Sequence, residues 1–154
     1  MRIVVAVVGK PRDANLAGAI RDYETRAARY WPLDVREVRQ ESAADLSASR
    51  ARDAEAKRLL VAIPPAAQVV TCDLNGRSFT SERFAEWLQD LRERAVDVAF
   101  VIGGAFGIGE SLRSRASSSL SLAPWTLPHE LARLVLAEQL YRAGTIVRRE
   151  PYHK

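Results

Sequence analysis

The chain has 154 residues, of which 47% are hydrophobic and 27% charged, a composition typical of one globular domain with a buried core. No apolar run approaches the roughly 18 residues that a membrane-spanning helix needs. The single cysteine, Cys72, excludes an internal disulfide framework and fits a reducing compartment. The formal net charge of +4 permits nucleic-acid binding without requiring it. We therefore expect one cytoplasmic domain over residues 1–154.

The first third of the chain alternates strands and helices. Residues 2–8 are almost wholly apolar and β-branched, which predicts a strand covered on both faces rather than a secretory signal peptide. The spacing of apolar residues then predicts a helix from Asn15 to about Tyr30, a half-exposed or edge strand over Leu33–Val38 and a helix over Ser42–Leu60.

The same alternation continues to the C-terminus. The next predicted elements are a buried strand over Gln68–Leu74, a turn at Asn75-Gly76, a helix over Ser81–Arg94 with Thr80 or Ser81 as its N-cap, and a strand over Asp97–Ile102. A helix over Ser111–Ser117, a short strand over Ser119–Leu122 and a helix from His129 to Ala143 follow. This rhythm predicts an α/β domain with a mostly parallel sheet flanked by helices.

A glycine-rich loop, residues 103–109, follows the strand that ends at Ile102. Open α/β sheets bind ligands at the carboxyl ends of their strands, and glycines let the backbone approach a ligand closely. The glycine spacing matches neither the dinucleotide-binding nor the phosphate-binding motif, which disfavours a nucleotide-dependent oxidoreductase. A tight structural turn is the alternative interpretation of this loop.

A proline-containing loop precedes the last helix. Pro124 and Pro128 stiffen its backbone, so that its amides could hold an adenine ring through hydrogen bonds. Leu122, Trp125 and Leu127 would give apolar cover. The alternative is that Trp125 and Leu127 are ordinary core residues.

The last helix carries apolar residues on two sides. Leu131, Leu134 and Val135 form one face, whereas Leu136 and Leu140 point to nearly the opposite side. This pattern indicates burial against two partners, of which one could be a second subunit. Complete burial within one chain is the alternative.

The tail, Arg148 to Lys154, combines cations with an aromatic ring and an imidazole. RNA recognition uses phosphate partners and flat surfaces for unstacked bases, so this composition is compatible with it. A frayed terminus is the alternative.

Three sequence segments together are more specific than any one of them. They are FVIGGAFG from Phe100, LSLAPWTLPHELARLVLAEQLYRA from Leu120, and the terminal PYHK. In this order they resemble the ribosomal RNA large-subunit methyltransferase H family of the SPOUT, or α/β-knot, superfamily. That family methylates N3 of a pseudouridine in 23S ribosomal RNA. The resemblance covers essentially the whole chain and is strongest from Phe100 onward.

The resemblance implies a SPOUT-type α/β knot with a C-terminal trefoil knot, a homodimer, and S-adenosylmethionine as methyl donor. The family's cofactor loops correspond here to Cys72, Gly103, Leu122, Ala123, Pro124, Trp125, Thr126 and Leu127. Two positions depart from the family pattern, because Phe106 replaces a usual acidic residue and Gly144 replaces a bulkier one.

The implied reaction is an in-line displacement of the sulfonium methyl group by the base nitrogen, which needs no metal. His153 could accept the proton of that nitrogen or hydrogen-bond a base carbonyl, and Tyr152 could stack on the base. Arg142 and Lys154 could contact phosphates, whereas His129 could instead cap or orient the last helix.

Because so small a chain offers little RNA-binding surface, we expect recognition of 23S RNA within the assembled ribosome. A non-catalytic ribosome-binding or assembly factor on the same fold, or another SPOUT enzyme with a different target nucleotide, remains the alternative.

Overall fold

A computed structural model describes residues 1–42 and 47–153. The strands in these ranges are β1 (Ile3–Val8), β2 (Leu33–Val38), β3 (Gln68–Arg77), β4 (Val98–Ile102) and β5 (Ser118–Leu120). The helices are α1 (Ala14–Ala27), α2 (Ala48–Ala62), α3 (Ser81–Glu93), α4 (Glu110–Arg115) and α5 (His129–Val147). A short 3-10 turn over Pro151–His153 follows. No helix within the described ranges is long and apolar enough to cross a membrane.

The five strands form one sheet in the order β2-β1-β4-β3-β5, and every neighbouring pair is parallel. This confirms the predicted α/β architecture. β1 and β4 are inner strands whose residues are all buried, as their continuous apolar sequences predict. β2 is an edge strand and is mostly half-exposed, which confirms the interpretation of its alternating sequence.

Helices cover both faces of the sheet, and each face has its own core. On one face α5 packs against α1 and α3, and Trp31, Phe100 and Leu136 are fully buried there. The indole N–H of Trp31 donates to the carbonyl oxygen of Leu140 at 2.8 Å, so this large side chain is buried with its polar atom satisfied. On the other face α2 packs against α4 over a smaller core.

Side chains that cap the helices set where two of them begin. Thr80, and not Ser81, is the N-cap of α3, because its hydroxyl oxygen accepts the backbone N–H of Arg83 at 3.2 Å. The predicted start of the second helix at Ser42 is wrong, since Ser47 caps α2. Residues 43–46 of that predicted helix lie outside the described residues.

The predicted turn at Asn75-Gly76 is wrong, because β3 continues through it to Arg77. Both Cys72 and Arg77 pair with Leu120, so the intervening residues form an irregular, bulged end of the strand. A Cβ atom on Gly76 would lie 2.5 Å from the backbone carbon of Leu120. The glycine therefore permits a close approach between two strands rather than a reversal of the chain.

α5 extends to Val147, one turn beyond the predicted end at Ala143, and Gly144 lies in this extension. A Cβ atom on Gly144 would lie 2.3 Å from Cγ of Tyr30. The Tyr30 ring therefore occupies the space that a bulkier residue at position 144 would need. The departure of Gly144 from the family pattern thus has a local steric explanation.

We predict opposite effects for two alanine substitutions at helical glycines. Gly144→Ala forces the Tyr30 ring aside and should lower the free energy of unfolding by about 1–3 kcal/mol. Gly18→Ala in α1 meets no atom within 4 Å, so it should raise that energy by about 0.5–1 kcal/mol through helix propensity. Urea denaturation of both variants tests this. Stabilisation by both substitutions would contradict the steric role of Tyr30.

Candidate active site

A cleft of about 710 Å³ lies where β3 and β4 end. Its walls come from three segments that are distant in sequence: residues 72–74 in the irregular second half of β3, the glycine loop after β4, and the proline-containing loop that leads into α5. This is the edge at which parallel α/β sheets bind ligands, because the strand ends and the loops leave a crevice there. Arg113 of α4 and Ala132 of α5 complete the lining.

The structure brings together the residues that the sequence assigned to a cofactor. All of them line the cleft except Pro124: Cys72, Gly103, Leu122, Ala123, Trp125, Thr126 and Leu127. Pro128 and His129 also line the cleft, as do residues of the predicted glycine loop: Gly104, Ala105, Gly107 and Ile108. The sequence analysis did not single out the remaining lining residues: Asp73, Leu74, Ile102, Arg113 and Ala132. Asp73 adjoins Cys72, whereas no pattern in the sequence pointed to Arg113 or Ala132.

The glycine loop is compact and leaves no room for side chains on its first residues. The N–H of Gly107 donates to the carbonyl oxygen of Gly104 at 3.0 Å, and Gly107 has a positive φ of 80°. A Cβ atom on Gly103 would lie 2.6 Å from the carbonyl oxygen of Gly107. The loop is thus a tight turn that also forms a wall of the cleft. Phe106, the departure from the family pattern, does not line the cleft.

Helix α2 packs behind the glycine loop. Glu55 is 2% exposed, and its Oε2 atom would lie 2.7 Å from a Cβ atom on Gly104. Its other oxygen accepts the backbone N–H of Glu41 at 3.0 Å. A side chain on Gly104 would collide with this buried carboxylate and with the side chain of Val8, so the loop packs tightly against α2 and β1.

Trp125 and Leu127 have different environments. Trp125 is 75% exposed at the cleft, so its interpretation as a core residue is wrong. Leu127 also borders the cleft but packs against the larger hydrophobic core, which supports the core interpretation in part. The hydroxyl of Ser121 donates to the carbonyl oxygen of Ala123 at 2.8 Å and stiffens the start of this loop.

Cys72 lies half-buried in the cleft wall, and burial raises the pKa of its thiol to about 12. We predict that native protein at pH 8 reacts with iodoacetamide at least about tenfold more slowly than urea-unfolded protein, because the thiolate is the reactive species. Mass spectrometry of the alkylated fraction over time measures both rates. Equal rates would show that the thiol ionises as freely in the folded protein as in the unfolded chain.

The tail does not fray in the described residues, because Tyr152 packs on α5. Its hydroxyl donates to Glu138 Oε1 at 3.0 Å and lies 3.3 Å from the hydroxyl of Tyr23. Burial and these two hydrogen bonds raise the pKa of Tyr152, so its hydroxyl stays neutral. The Tyr141 and Tyr152 rings are 4.5 Å apart. Lys154 and the side chain of His153 lie outside the described part of the structure.

Arg142 shares the same carboxylate as Tyr152. Its Nε and Nη2 atoms donate to Glu138 Oε1 at 2.9 and 2.6 Å, and this bond raises the pKa of Arg142. The guanidinium carbon lies 4.8 Å from the centre of the Tyr152 ring. A second contact holds the tail, since the hydroxyl of Tyr30 donates to Glu150, which raises the pKa of Tyr30 to about 12.

The tail cluster, formed by Glu138, Arg142 and Tyr152, is separate from the cleft in a single chain. Neither Arg142 nor Tyr152 lines the cleft. Arg142 lies ten residues beyond the cleft residue Ala132 on α5, which corresponds to about 15 Å along the helix axis. His129 does line the cleft, and it is the first residue of α5 rather than its cap, because Pro128 occupies the N-cap position.

No group of three or more histidine, cysteine, aspartate or glutamate residues that could hold a metal ion occurs in the described part of the chain.

Comparison with known proteins assigns this fold and cleft to a class. A family model described as "Predicted SPOUT methyltransferase" matches residues 1–153. Among solved structures, that of TrmJ from Z. mobilis ZM4 is similar, with a TM-score of 0.50 over 93% of this chain and 70% of the other. The sequences are only 18% identical, so this second likeness concerns the fold alone. The protein is thus an enzyme of the SPOUT methyltransferase class.

Curated relatives narrow the class to one family. The chain is 61% identical to ribosomal RNA large subunit methyltransferase H of Gemmatimonas aurantiaca, with 100% of both chains covered. It is 44% identical to the protein of that name from Anaeromyxobacter sp., also over 100% of both chains. The Geobacter sulfurreducens protein of that name is 39% identical, with 99% of each chain covered. The chain therefore belongs to the ribosomal RNA large subunit methyltransferase H family.

Proposed function

We propose that the protein transfers a methyl group from S-adenosylmethionine to N3 of a pseudouridine in 23S ribosomal RNA of the large subunit. The observation that carries the proposal is the single cleft formed by the three segments that the family resemblance assigns to the cofactor. The names of the relatives support ribosomal RNA of the large subunit as the substrate class. The C-terminal trefoil knot belongs to the same proposal.

The cleft residues fit the proposed cofactor. Leu122, Ala123 and residues 125–127 line the cleft, so backbone groups of this loop could hydrogen-bond a flat adenine ring, with Leu122 and Leu127 as apolar cover. A Cβ atom on Gly103 would collide with the Gly107 backbone, so the glycine allows the tight turn that forms this wall of the cleft. When bound, S-adenosylmethionine supplies an activated methyl group on a positively charged sulfur.

We predict that Gly103→Ala weakens S-adenosylmethionine binding at least about tenfold, because the new methyl group collides with the Gly107 backbone and moves the loop. Titration calorimetry measures the affinity. Gly18→Ala is the matched control, since it adds the same group to open space in α1 and should leave the affinity unchanged. Unchanged affinity in Gly103→Ala would remove this loop from the cofactor site.

We further infer that the enzyme acts as a homodimer. Leu136 and Leu140 of α5 are buried in the core, whereas the opposite face leaves Leu131 39% exposed and Leu134 and Val135 half-exposed. A symmetric partner would cover this stripe. Because the tail cluster lies apart from the cleft in one chain, we propose that the tail of one subunit faces the cleft of the other. Sedimentation analysis tests the dimer.

In this arrangement the tail residues act on the target base. His153 accepts the N3 proton, Tyr152 stacks on the base, and Arg142 and Lys154 contact phosphates. The cleft residues would hold the cofactor, which would supply the methyl group to N3 and leave as S-adenosylhomocysteine. Orientation and stabilisation of the imide charge supply most of the rate. Glu138 supports this role, since it holds both Arg142 and Tyr152.

The proposed substrate is the assembled ribosome in the cytoplasm, because one small domain offers too little surface to select a nucleotide in free RNA. Incubation of ribosomes with enzyme and labelled cofactor, followed by nucleoside digestion and mass spectrometry, identifies the product. 3-Methylpseudouridine formed faster on ribosomes than on naked 23S fragments is the expected result. A different methylated nucleoside would refute the substrate, and equal rates on free RNA would refute recognition of the ribosome. Absence of cofactor binding would favour a non-catalytic binding factor.

A further inference from the structure

Two charged side chains face each other inside a cleft whose other walls carry no formal charge. Among the described residues that line it, only Asp73 and Arg113 are aspartate, glutamate, lysine or arginine. The rest are glycines, apolar side chains, Cys72, Thr126 and His129. An ion pair placed in such surroundings is a selective feature for a ligand that itself carries charge.

The geometry makes Asp73 a fixed support and Arg113 an available donor. Asp73 is 11% exposed in its side chain, and its Oδ1 atom accepts the backbone N–H of Asn75 at 3.1 Å. Its Oδ2 atom lies 2.7 Å from Nη1 of Arg113. The Arg113 side chain is 48% exposed, and its other N–H groups have no partner among the described residues. A guanidinium held at one corner presents its remaining donors in a fixed orientation.

Arg113 and the predicted adenine site come from different segments of the fold. Arg113 projects from α4, which follows the glycine loop, whereas residues 122–127 enter the cleft from the segment after β5. A ligand with a flat apolar end and a charged end would therefore meet different chemistry at these two walls.

We propose that Arg113 binds the carboxylate of the methionine part of S-adenosylmethionine, and that Asp73 orients the Arg113 guanidinium. This inference rests on the proposed cofactor. Arginine binds carboxylates, as it does phosphates, in a fixed two-point geometry, and the carboxylate at the amino-acid end is the anionic group of this cofactor. Asp73 is thus a positioning residue, and Arg113 is a binding residue.

The test compares two ligands by titration calorimetry. S-adenosylhomocysteine carries the amino-acid end, whereas 5′-methylthioadenosine keeps the adenosine and sulfur but lacks that end. Arg113→Gln should weaken S-adenosylhomocysteine binding about 10- to 100-fold and change 5′-methylthioadenosine binding less than about twofold. Arg113→Lys should lose less affinity than Arg113→Gln, because it keeps the charge without the planar fork. Asp73→Asn should give a smaller loss with the same ligand selectivity.

Arg115→Gln is the matched control, because Arg115 lies on the same helix but hydrogen-bonds backbone oxygens of Pro65 and Ala67 outside the cleft. It should change neither affinity. Equal weakening of both ligands by Arg113→Gln would overturn the proposal and assign the pair to the adenosine part or to the shape of the cleft. Unchanged affinities would also overturn it, leaving RNA phosphate as the partner of Arg113. If the wild-type protein binds neither ligand, the proposed cofactor itself fails.

Discussion

Replacement of Tyr152 or His153 by alanine should lower the rate of methylation at least about a hundredfold, with less than a threefold change in S-adenosylmethionine affinity. Loss of a positioned proton acceptor typically costs about 10²- to 10⁴-fold in rate. Tyr152 lies outside the cleft of its own chain and is held by Glu138 and Tyr23, so its removal does not touch the cofactor loops. Single-turnover kinetics on ribosomes and calorimetry with the cofactor measure the two quantities separately.

A conservative variant separates the two parts of the Tyr152 side chain. Tyr152→Phe keeps the ring for stacking but loses the bonds to Glu138 and Tyr23, so it should retain more activity than Tyr152→Ala. Parallel losses of catalysis and cofactor affinity in the alanine variants would contradict the proposed role of the tail. They would indicate that the tail supports the fold instead.

The strands could be predicted because their cause is local. β1 and β4 are buried on both faces, so every residue must be apolar, and this is visible in the sequence. The error at Asn75-Gly76 has a different origin. The dipeptide favours a turn locally, but pairing of Arg77 with Leu120, more than 40 residues away, keeps the chain extended. Tertiary pairing thus overrides a local preference.

The cleft shows the same division. Two of its loops could be predicted from their glycines and prolines, because glycine permits unusual backbone conformations and proline fixes φ. Arg113 gave no such signal, since an arginine on a short polar helix has the sequence signature of an exposed surface. Only the packing of α4 beside the end of β3 brings it to Asp73. The Tyr30–Glu150 contact likewise joins residues 120 positions apart, so no local pattern could have indicated it.

Arg133→Ala should lower the free energy of unfolding by about 1–3 kcal/mol, because it removes a buried guanidinium and leaves the partly buried carboxylates of Glu24 and Glu37 without their cation. Arg133 is 6% exposed and joins α5 to α1 and β2. Its Nε and Nη2 atoms donate to the two oxygens of Glu24 at 2.7 and 3.2 Å, and Nη1 donates to Glu37 at 2.7 Å. Although burial lowers the pKa of Arg133, these hydrogen bonds raise it on balance, so the guanidinium stays charged.

Urea denaturation, with Arg83→Ala as the control, tests this expectation. Arg83 pairs with Glu86 at 2.8 Å, but both side chains are more than half exposed, so its loss should cost less than about 1 kcal/mol. Combining Arg133→Met with Glu24→Gln and Glu37→Gln removes the charges together and should recover part of the loss. A cost for Arg133→Ala no greater than that of the control would mean that water enters and solvates the two carboxylates. Because Arg133 follows the cleft residue Ala132, the same variant should also weaken cofactor binding by loosening the start of α5.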